Sequence, residues 1–493
     1  MINELLTQIE NKQDVRQSLS RLRQEIKEPS ALAQLRKLAA KEELQQLLLS
    51  LLTAEDAKTR KNCALLMGDL QIDAFLPALF TQYLAEEQLF VKSAYLQAMQ
   101  AYDCSAYTEQ IRWRLEELAQ VTLTEENRKH ISEETKALSD LLIRTEGIKT
   151  HEFRGNHELS EMILLTNRKH AALTAAQIVD DVAEILPVGV HLQTNHLDEI
   201  IPIRTYQELL FVVPGMKNCE NDSLAAAGKI ADSELLTFLS KRHKGKAPFY
   251  FRLEMKSRLE LDKKSAFLKK MATEIERLTN RQLINSVSDY EFEIRLIQNK
   301  EGRFNVLVKL MTLPDQRFAY RRESVAASIK PVNAALLVEM AKDYMIPDAH
   351  VLDPFCGVGT MLIERQKVIP ANTSYGMDTL AEAIEKARRN TEAAGQIIHY
   401  INTNFFAFTH EYLFDEIFTN MPFAIGRTTP EEIEDLYDRF FEKVGQHLVE
   451  EGRIILYTHD PKLVERLARG KGWKILSKQE VMDREGTWLY VIS

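Results

Sequence analysis

The sequence predicts a multidomain chain: an all-α N-terminal region, an α+β middle domain and a C-terminal α/β domain built on an open sheet. Three observations carry this prediction. From residue 1 to about 145, proline and glycine are nearly absent and apolar residues recur at helical spacing. From His151 onward, short β-prone runs alternate with helical ones. At Val351–Thr360, an apolar run ends in Asp353 and Pro354, and a glycine-rich turn opens a helical pattern. An open α/β sheet builds a ligand crevice in that order, at the carboxyl end of its first strand.

Length and composition bound the class. A chain of 493 residues holds two to four domains, because single cores stop growing well before that size. The composition, 45% hydrophobic and 27% charged, is that of a globular protein. The N-terminus lacks a basic segment followed by a long apolar one, and no apolar run is long enough to span a bilayer, so no membrane association is expected. Cys63, Cys104, Cys219 and Cys356 show no Cys-x-x-Cys spacing. Neither disulfides nor a metal site is expected, and a reducing cytoplasm fits. The net charge of -9 argues against a uniformly basic nucleic-acid binder, so charge has to be read locally.

Residues 1–148 are expected to be helical, with apolar positions such as Leu35, Leu38, Ala39, Leu44, Leu47, Leu48 and Leu51 on one face. Thr59–Met67 and Val91–Met99 match at an offset of about 32 residues, each with a basic residue ahead of a small, apolar helix. This pattern resembles HEAT-type helical repeats, which offer a concave face to a partner; a plain helical bundle is the alternative. Either way the region is expected to bind, with a protein as its partner, rather than to catalyse.

Residues 149–324 read as the α+β domain. Strands are expected at Glu161–Leu165 and Glu208–Val213, and helices at Ala171–Ile185 and Leu224–Leu239. Lys241–Lys270 holds 11 Lys/Arg against 3 acids, with Phe249, Tyr250, Phe251 and Phe267 interleaved. Such a patch can hold phosphates by charge and stack on bases, which makes Lys241, Arg242, Lys244, Lys246, Arg252, Lys256 and Arg258 candidate nucleic-acid contacts. The aromatics are alternatively core residues of a strand, above all Phe249 and Phe251. A strand at Phe251–Lys256, a helix at Lys264–Leu278 and strands at Tyr290–Leu296 and Phe304–Leu310 follow.

Residues 325–493 carry the chemistry. Gly357 and Gly359 allow a close backbone approach to a ligand. The segment Asp353-Pro354-Phe355-Cys356-Gly357-Val358-Gly359-Thr360 resembles the Asp-Pro-x-Cys-Gly-Ser-Gly-Thr motif of S-adenosylmethionine (SAM)-dependent RNA methyltransferases of the THUMP-associated, guanine-N2 type, with Val358 in place of the serine. The resemblance implies a Rossmann-like seven-stranded SAM methyltransferase domain, with the strand–helix–strand–strand segment before it acting as a THUMP-like, RNA-capturing module. It also implies that Asp353, Pro354, Phe355, Cys356, Gly357, Gly359 and Thr360 bind the cofactor. Ser328 resembles the serine of the family's Ser-x-x-Pro entrance, beside the methionine end of SAM; Ser328 or Asn333 alternatively caps the next helix.

Asp378 closes the second expected strand, 25 residues after Asp353. That place suits a carboxylate that accepts both ribose hydroxyls, or one that caps the next helix. Asn404 stands where the family has an acid for the adenine amino group, with Phe405 beside it to cover the ring. Asn420-Met421-Pro422-Phe423 ends a further apolar strand and resembles the Asn/Asp-x-Pro-Tyr/Phe motif of enzymes that methylate amines conjugated to planar systems. The Asn420 side-chain oxygen and a nearby backbone carbonyl, that of Met421, accept the two N–H bonds. Pro422 stiffens the turn, and Phe423 stacks on the base. Two residues, Ala424 and Ile425, separate Phe423 from Gly426, where many members of the family have glycine directly. Arg427 meets a phosphate or is solvated.

The expected function is SAM-dependent methylation of an exocyclic amine in structured RNA, guanine N2 in tRNA ahead of rRNA. The motif alone also suits adenine N6 in nucleic acid or a glutamine amide in a protein. The non-enzymatic alternative is an adaptor that carries a methyltransferase fold.

Overall fold

The structure, a computed structural model, describes every residue except Gln120, Leu123 and Arg427. The chain divides into two compact units: residues 1–152, 215–240 and 244–306 in the first, and 153–214, 241–243 and 307–493 in the second. Segment 149–324 is thus distributed over both units.

The first unit begins with nine α-helices among the described residues, from Ile2–Glu10 to Arg128–Glu146. They enclose one apolar core that includes Leu19, Leu48, Cys63, Met67, Leu79, Tyr95 and Leu138. The two similar segments are helices, Ala57–Leu70 and Leu89–Met99. A Cβ on Gly68 would lie 2.7 Å from Ala98 Cα, so only glycine permits this approach. Asp56 caps the first of the two helices by accepting the Thr59 N–H at 2.9 Å. Lys92, on the second, is buried and donates to the Tyr83 carbonyl at 3.0 Å. Later in the same unit, Phe249–Lys256 pairs in parallel with Leu283–Asn285 and with Phe292–Gln298, and helix Leu261–Leu278 lies between in sequence.

In the second unit, Ser160–Thr166 pairs antiparallel with Gly189–Thr194 and with Tyr206–Phe211. The helix expected over Ala171–Ile185 is corrected: only Ala171–Ala175 is helical, and Ala183–Leu186 is a strand paired with Gly189–Thr194. The Ala-rich start carries helical propensity, but Pro187–Val188 turns the chain back so tightly that Leu186 faces Gly189. Likewise, Leu224–Leu239 is two helices, Ser223–Ala231 and Leu235–Arg242.

The C-terminal part of this unit positions the site. Its elements are α1 (Pro331–Ala341), β1 (His350–Asp353), α2 (Thr360–Val368), β2 (Thr373–Asp378), α3 (Ala381–Ala393), β3 (His399–Asn402), β4 (Phe414–Asn420), α4 (Pro430–Lys443), β5 (Leu448–Thr458), α5 (Pro461–Gly470), β6 (Ile475–Met482) and β7 (Thr487–Ile492). They form a seven-stranded sheet in the order β3-β2-β1-β4-β5-β7-β6. The first five strands are parallel and β7 runs antiparallel to both its neighbours. The strand order reverses between β1 and β4, where α/β sheets open a crevice above their carboxyl ends. Val351, Leu362, Phe418 and Ile455 belong to one buried cluster, and Leu352, Ile417, Ile454 and Tyr490 to another. Neighbouring residues of one strand therefore fall in different clusters, as expected of strands covered on both faces.

One fully buried ion pair braces this domain. Arg365 Nε donates to Glu416 Oε1 at 2.9 Å, both side chains 0% exposed. Arg365 also donates to the Ile346 carbonyl at 2.8 Å, and the Ile346 N–H donates to Glu416 Oε2 at 3.1 Å. These bonds satisfy both charges, as burial demands.

Candidate active site

The glycine turn has the backbone shape that its sequence suggests. Gly357 has φ +53° and Gly359 φ +80°, left-handed values that side chains other than glycine adopt with strain. At Gly359 space forbids a side chain as well, since a Cβ would meet the Tyr400 hydroxyl oxygen at 2.2 Å. The Tyr400 hydroxyl pairs with Thr391 Oγ1 at 2.8 Å, which keeps its ring in place. Asn390 stitches the turn to the segment before α1: its amide nitrogen donates to the carbonyls of Val358 and Glu323, at 3.2 and 3.1 Å.

Two acids flank this turn and differ in setting. Asp353 is fully buried. Its Oδ1 accepts Thr419 Oγ1 at 2.6 Å and the Phe355 N–H at 3.1 Å, while Oδ2 has no partner among the described residues. Burial pushes its carboxyl up to about 7, the two hydrogen bonds acting in the opposite direction and the charge of Asp378 adding to the rise. Asp378 is only half-buried. Its Oδ2 accepts the Gly357 N–H at 3.0 Å and its Oδ1 the Leu380 N–H at 2.8 Å. A carboxylate offers about four lone-pair directions, so capacity remains for a ligand's hydroxyls.

Asn420 ends β4. Its Oδ1 is buried and has no hydrogen-bond partner among the described residues. Met421 follows with its N–H fixed to the Tyr457 carbonyl at 2.9 Å and its side chain in the core. Phe423 stacks on His459 with ring centroids 4.1 Å apart. Burial holds the His459 imidazole below its usual range, which favours the neutral ring.

These parts share one cavity of about 480 Å³. Ser328, Pro354, Phe355, Cys356, Gly357, Thr360, Asp378, Asn404 and Phe405 line it together with Asn420, Met421, Pro422 and Phe423. Asp353 and Gly359 are not on its wall; they shape the turn that is. Ser328 is not a cap: its Oγ accepts the Val325 N–H at 2.9 Å, and α1 starts at Pro331 with no side-chain cap from Ser328 or Asn333. Asn404 Oδ1 accepts the Phe406 N–H at 3.0 Å and so caps a short helical turn at the cavity's edge. Ile425, of the two residues inserted before Gly426, lines the cavity too, as do Thr379, Leu380, Thr403, Phe406, Thr428 and Leu436, which the sequence did not single out. Thr379 directly follows Asp378 and Thr403 directly precedes Asn404, and that adjacency was the available signal. Leu436 reaches the wall from α4, through helical spacing no motif marks.

The volume falls in the range of small-molecule sites. The walls combine backbone freed by glycine, an open carboxylate and two acceptors without a partner among the described residues, Asn420 Oδ1 and Thr360 Oγ1. The residues therefore fit a nucleoside-bearing cofactor on one side and an amine on the other.

The basic stretch is only partly available to a ligand. Lys241, Lys244, Lys246, Arg252, Lys256 and Arg258 are exposed. Arg242 is not: it is 4% exposed and donates to the Leu159 carbonyl at 2.7 Å and to Ser160 Oγ at 2.8 Å. The expectation of a nucleic-acid contact there is corrected, because the side chain is committed to the fold. Phe249, Tyr250 and Phe251 are buried as well, and Phe267 packs edge-on against Phe304, so these rings are core rather than stacking platforms. Arg427 lies outside the described residues.

Comparison with known proteins agrees with this construction. Residues 319–488, about a third of the chain, match the family described as RMKL-like, methyltransferase domain. TrmN from Thermus thermophilus shares 18% identity at a TM-score of 0.50, over 68% of this chain and 99% of that one. SMU.472, solved in complex with SAH, shares 14% at 0.53, over 68% and 97%. A predicted N6-adenine-specific DNA methylase from Listeria monocytogenes str. 4b F2365 shares 17% at 0.52, over 68% and 96%. At these identities the likeness to solved structures is one of fold. Residues 319–488 are thus a methyltransferase domain, and the chain is an enzyme. No helix among the described residues is long and apolar enough to cross a membrane.

Proposed function

We propose that this enzyme methylates an exocyclic amino group of a nucleobase in structured RNA, guanine N2 in tRNA first and rRNA next. The observation that carries the reading is the end of β4. There the Asn420 acceptor is buried, and unpartnered among the described residues, on the wall of the cavity that the glycine turn and Asp378 also line. An amine conjugated to a ring has its lone pair delocalised and is a poor nucleophile. Two acceptors that take its N–H bonds, Asn420 Oδ1 and the Met421 carbonyl, draw the nitrogen toward tetrahedral geometry and offset the positive charge that develops on it. No strong base is required, because the proton becomes acidic once the methyl group has moved.

In this reading Asp378 accepts the ribose hydroxyls, Asn404 and Phe405 hold the adenine, and Ser328 borders the methionine end. SAM bound there supplies an electrophilic methyl group. The helical region is then a HEAT-like binding module. The segment around Phe249–Leu310 is a THUMP-like one, with Arg252 and Lys256 exposed on a strand whose apolar side chains are core.

The test is transfer of labelled methyl from SAM to total RNA of a strain lacking the gene, followed by nucleoside analysis. Label in N2-methylguanosine supports the reading, and its RNA size class separates tRNA from rRNA. Label in N6-methyladenosine keeps the chemistry and replaces the base, in line with the description borne by the Listeria protein. Label in glutamine of a protein, or SAM binding without transfer to anything, overturns it.

A further inference from the structure

We infer that a groove in the N-terminal helical region holds the phosphate backbone of the RNA substrate, an inference that rests on the RNA reading above. The groove, about 530 Å³, lies where helices Val15–Glu25 and Ala57–Leu70 pack together, with Phe90 at its wall. Arg16 and Arg21 come from the first helix, Lys58 and Lys61 from the second; Asn62 adds a neutral donor, and no acid lines the groove.

Each helix carries one further cation that is already neutralised. Arg23 pairs with Asp69 at 3.0 Å and Arg60 with Glu86 at 2.7 Å. Arg16, Arg21, Lys58 and Lys61 have no ion-pair partner among the described residues. Asp56, the helix cap, feels one of them: its carboxyl lies below its usual range mainly through Thr59 and, last among its causes, through the charge of Arg16. Four unpaired cations converging on one groove of a chain with net charge -9 mark a local reversal of field. An anionic polymer with regularly spaced charges fits it. Because the enzyme's proposed substrate is such a polymer, the groove is assigned to RNA rather than to an acidic protein.

The test uses the full chain with Arg16→Gln, Arg21→Gln, Lys58→Gln and Lys61→Gln combined. A control carries Lys129→Gln and Lys136→Gln, two exposed cations on helix Arg128–Glu146. Binding of unmodified tRNA transcripts is measured between 50 and 200 mM salt, a range over which phosphate contacts change affinity strongly. If all four cations contact phosphates, the slope of log K on log salt shrinks by about 3, given roughly 0.7–0.9 per contact. The KM for RNA rises about tenfold or more, while kcat and SAM affinity stay as in the wild type and the control behaves as the wild type. If the wild type methylates RNA and the quadruple variant keeps its slope and KM, the groove assignment is overturned and the function stands. A slope that falls equally in the control, or polyglutamate competing as well as tRNA, overturns it in favour of diffuse charge or an acidic protein. A wild type that neither binds nor methylates RNA overturns both.

Discussion

The backbone N–H of Gly357 donates to Asp378 Oδ2 at 3.0 Å, so the turn after β1 and the acid that closes β2 hold each other in place. The second oxygen of Asp378 takes the Leu380 N–H. Replacing Asp378 with Ala removes both acceptors and the negative charge proposed for the ribose. SAM affinity should fall at least about tenfold, near the cost of one charge-assisted hydrogen bond, while the domain stays folded. Titration calorimetry on Asp378→Ala checks this, and an unchanged Kd would remove Asp378 from the cofactor site.

Asn420→Ala separates binding from chemistry. Removing one stabilising partner of a transition state costs about 10²–10³ in kcat. SAM binding should stay within about twofold of the wild type, because Asn420 is proposed to face the substrate amine. Equal losses of turnover and SAM affinity would instead place Asn420 on the cofactor.

Gly359→Ala should destabilise the domain by a few kcal/mol, through left-handed strain and through the contact with the Tyr400 hydroxyl. For a domain of this size that is a fall of several degrees in Tm. Adding Tyr400→Phe removes the hydroxyl and should recover part of the loss, whereas Tyr400→Phe alone loses only its bond to Thr391. Absence of any recovery would mean that backbone strain accounts for the whole effect.

Asp353 makes stability pH-dependent with a defined sign. Its carboxyl titrates at about 7 in the fold and near 3.8 when unfolded. Between those values the folded state binds the extra proton, so this group's contribution is greatest below about pH 4 and declines as pH rises to about 7. Asp353→Asn cannot titrate. The stability of the variant relative to the wild type should therefore increase from pH 4 to pH 7, which denaturant melts at both pH values test. A constant difference would show that Asp353 is ionised throughout.

Glu416→Gln leaves Arg365 buried and without its counter-charge. Breaking such a pair costs about 3–5 kcal/mol, whereas replacing both partners with apolar residues of similar volume costs far less. Arg365→Met with Glu416→Leu should therefore melt above Glu416→Gln, although the double variant has lost more hydrogen bonds.

Much of the C-terminal domain was legible because its signals are local. Gly357 and Gly359 mark positive φ, Pro331 and Pro430 stand at the first turns of α1 and α4, and β7 has the apolar composition of a buried strand. The Ala171–Ile185 segment misled for the converse reason: its helical propensity lost to strand pairing with Gly189–Thr194, partners that only the fold supplies. Arg242 read as a surface cation in a run of basic residues, and nothing local revealed that Leu159 and Ser160 would enclose it.

By itself the sequence determined the order of elements, the glycine turn proposed to approach the cofactor and the identity of the groups offered there, since periodicity, proline and glycine act within a few residues. Only the tertiary structure decided which of those groups remain available. It buried Asp353 and left Asp378 open, left the Asn420 oxygen on a cavity wall without a partner among the described residues, turned Phe249 and Phe251 into core and gathered Arg16, Arg21, Lys58 and Lys61 on one groove. Burial, pairing and field each depend on residues far apart in the chain, and no short-range pattern encodes them.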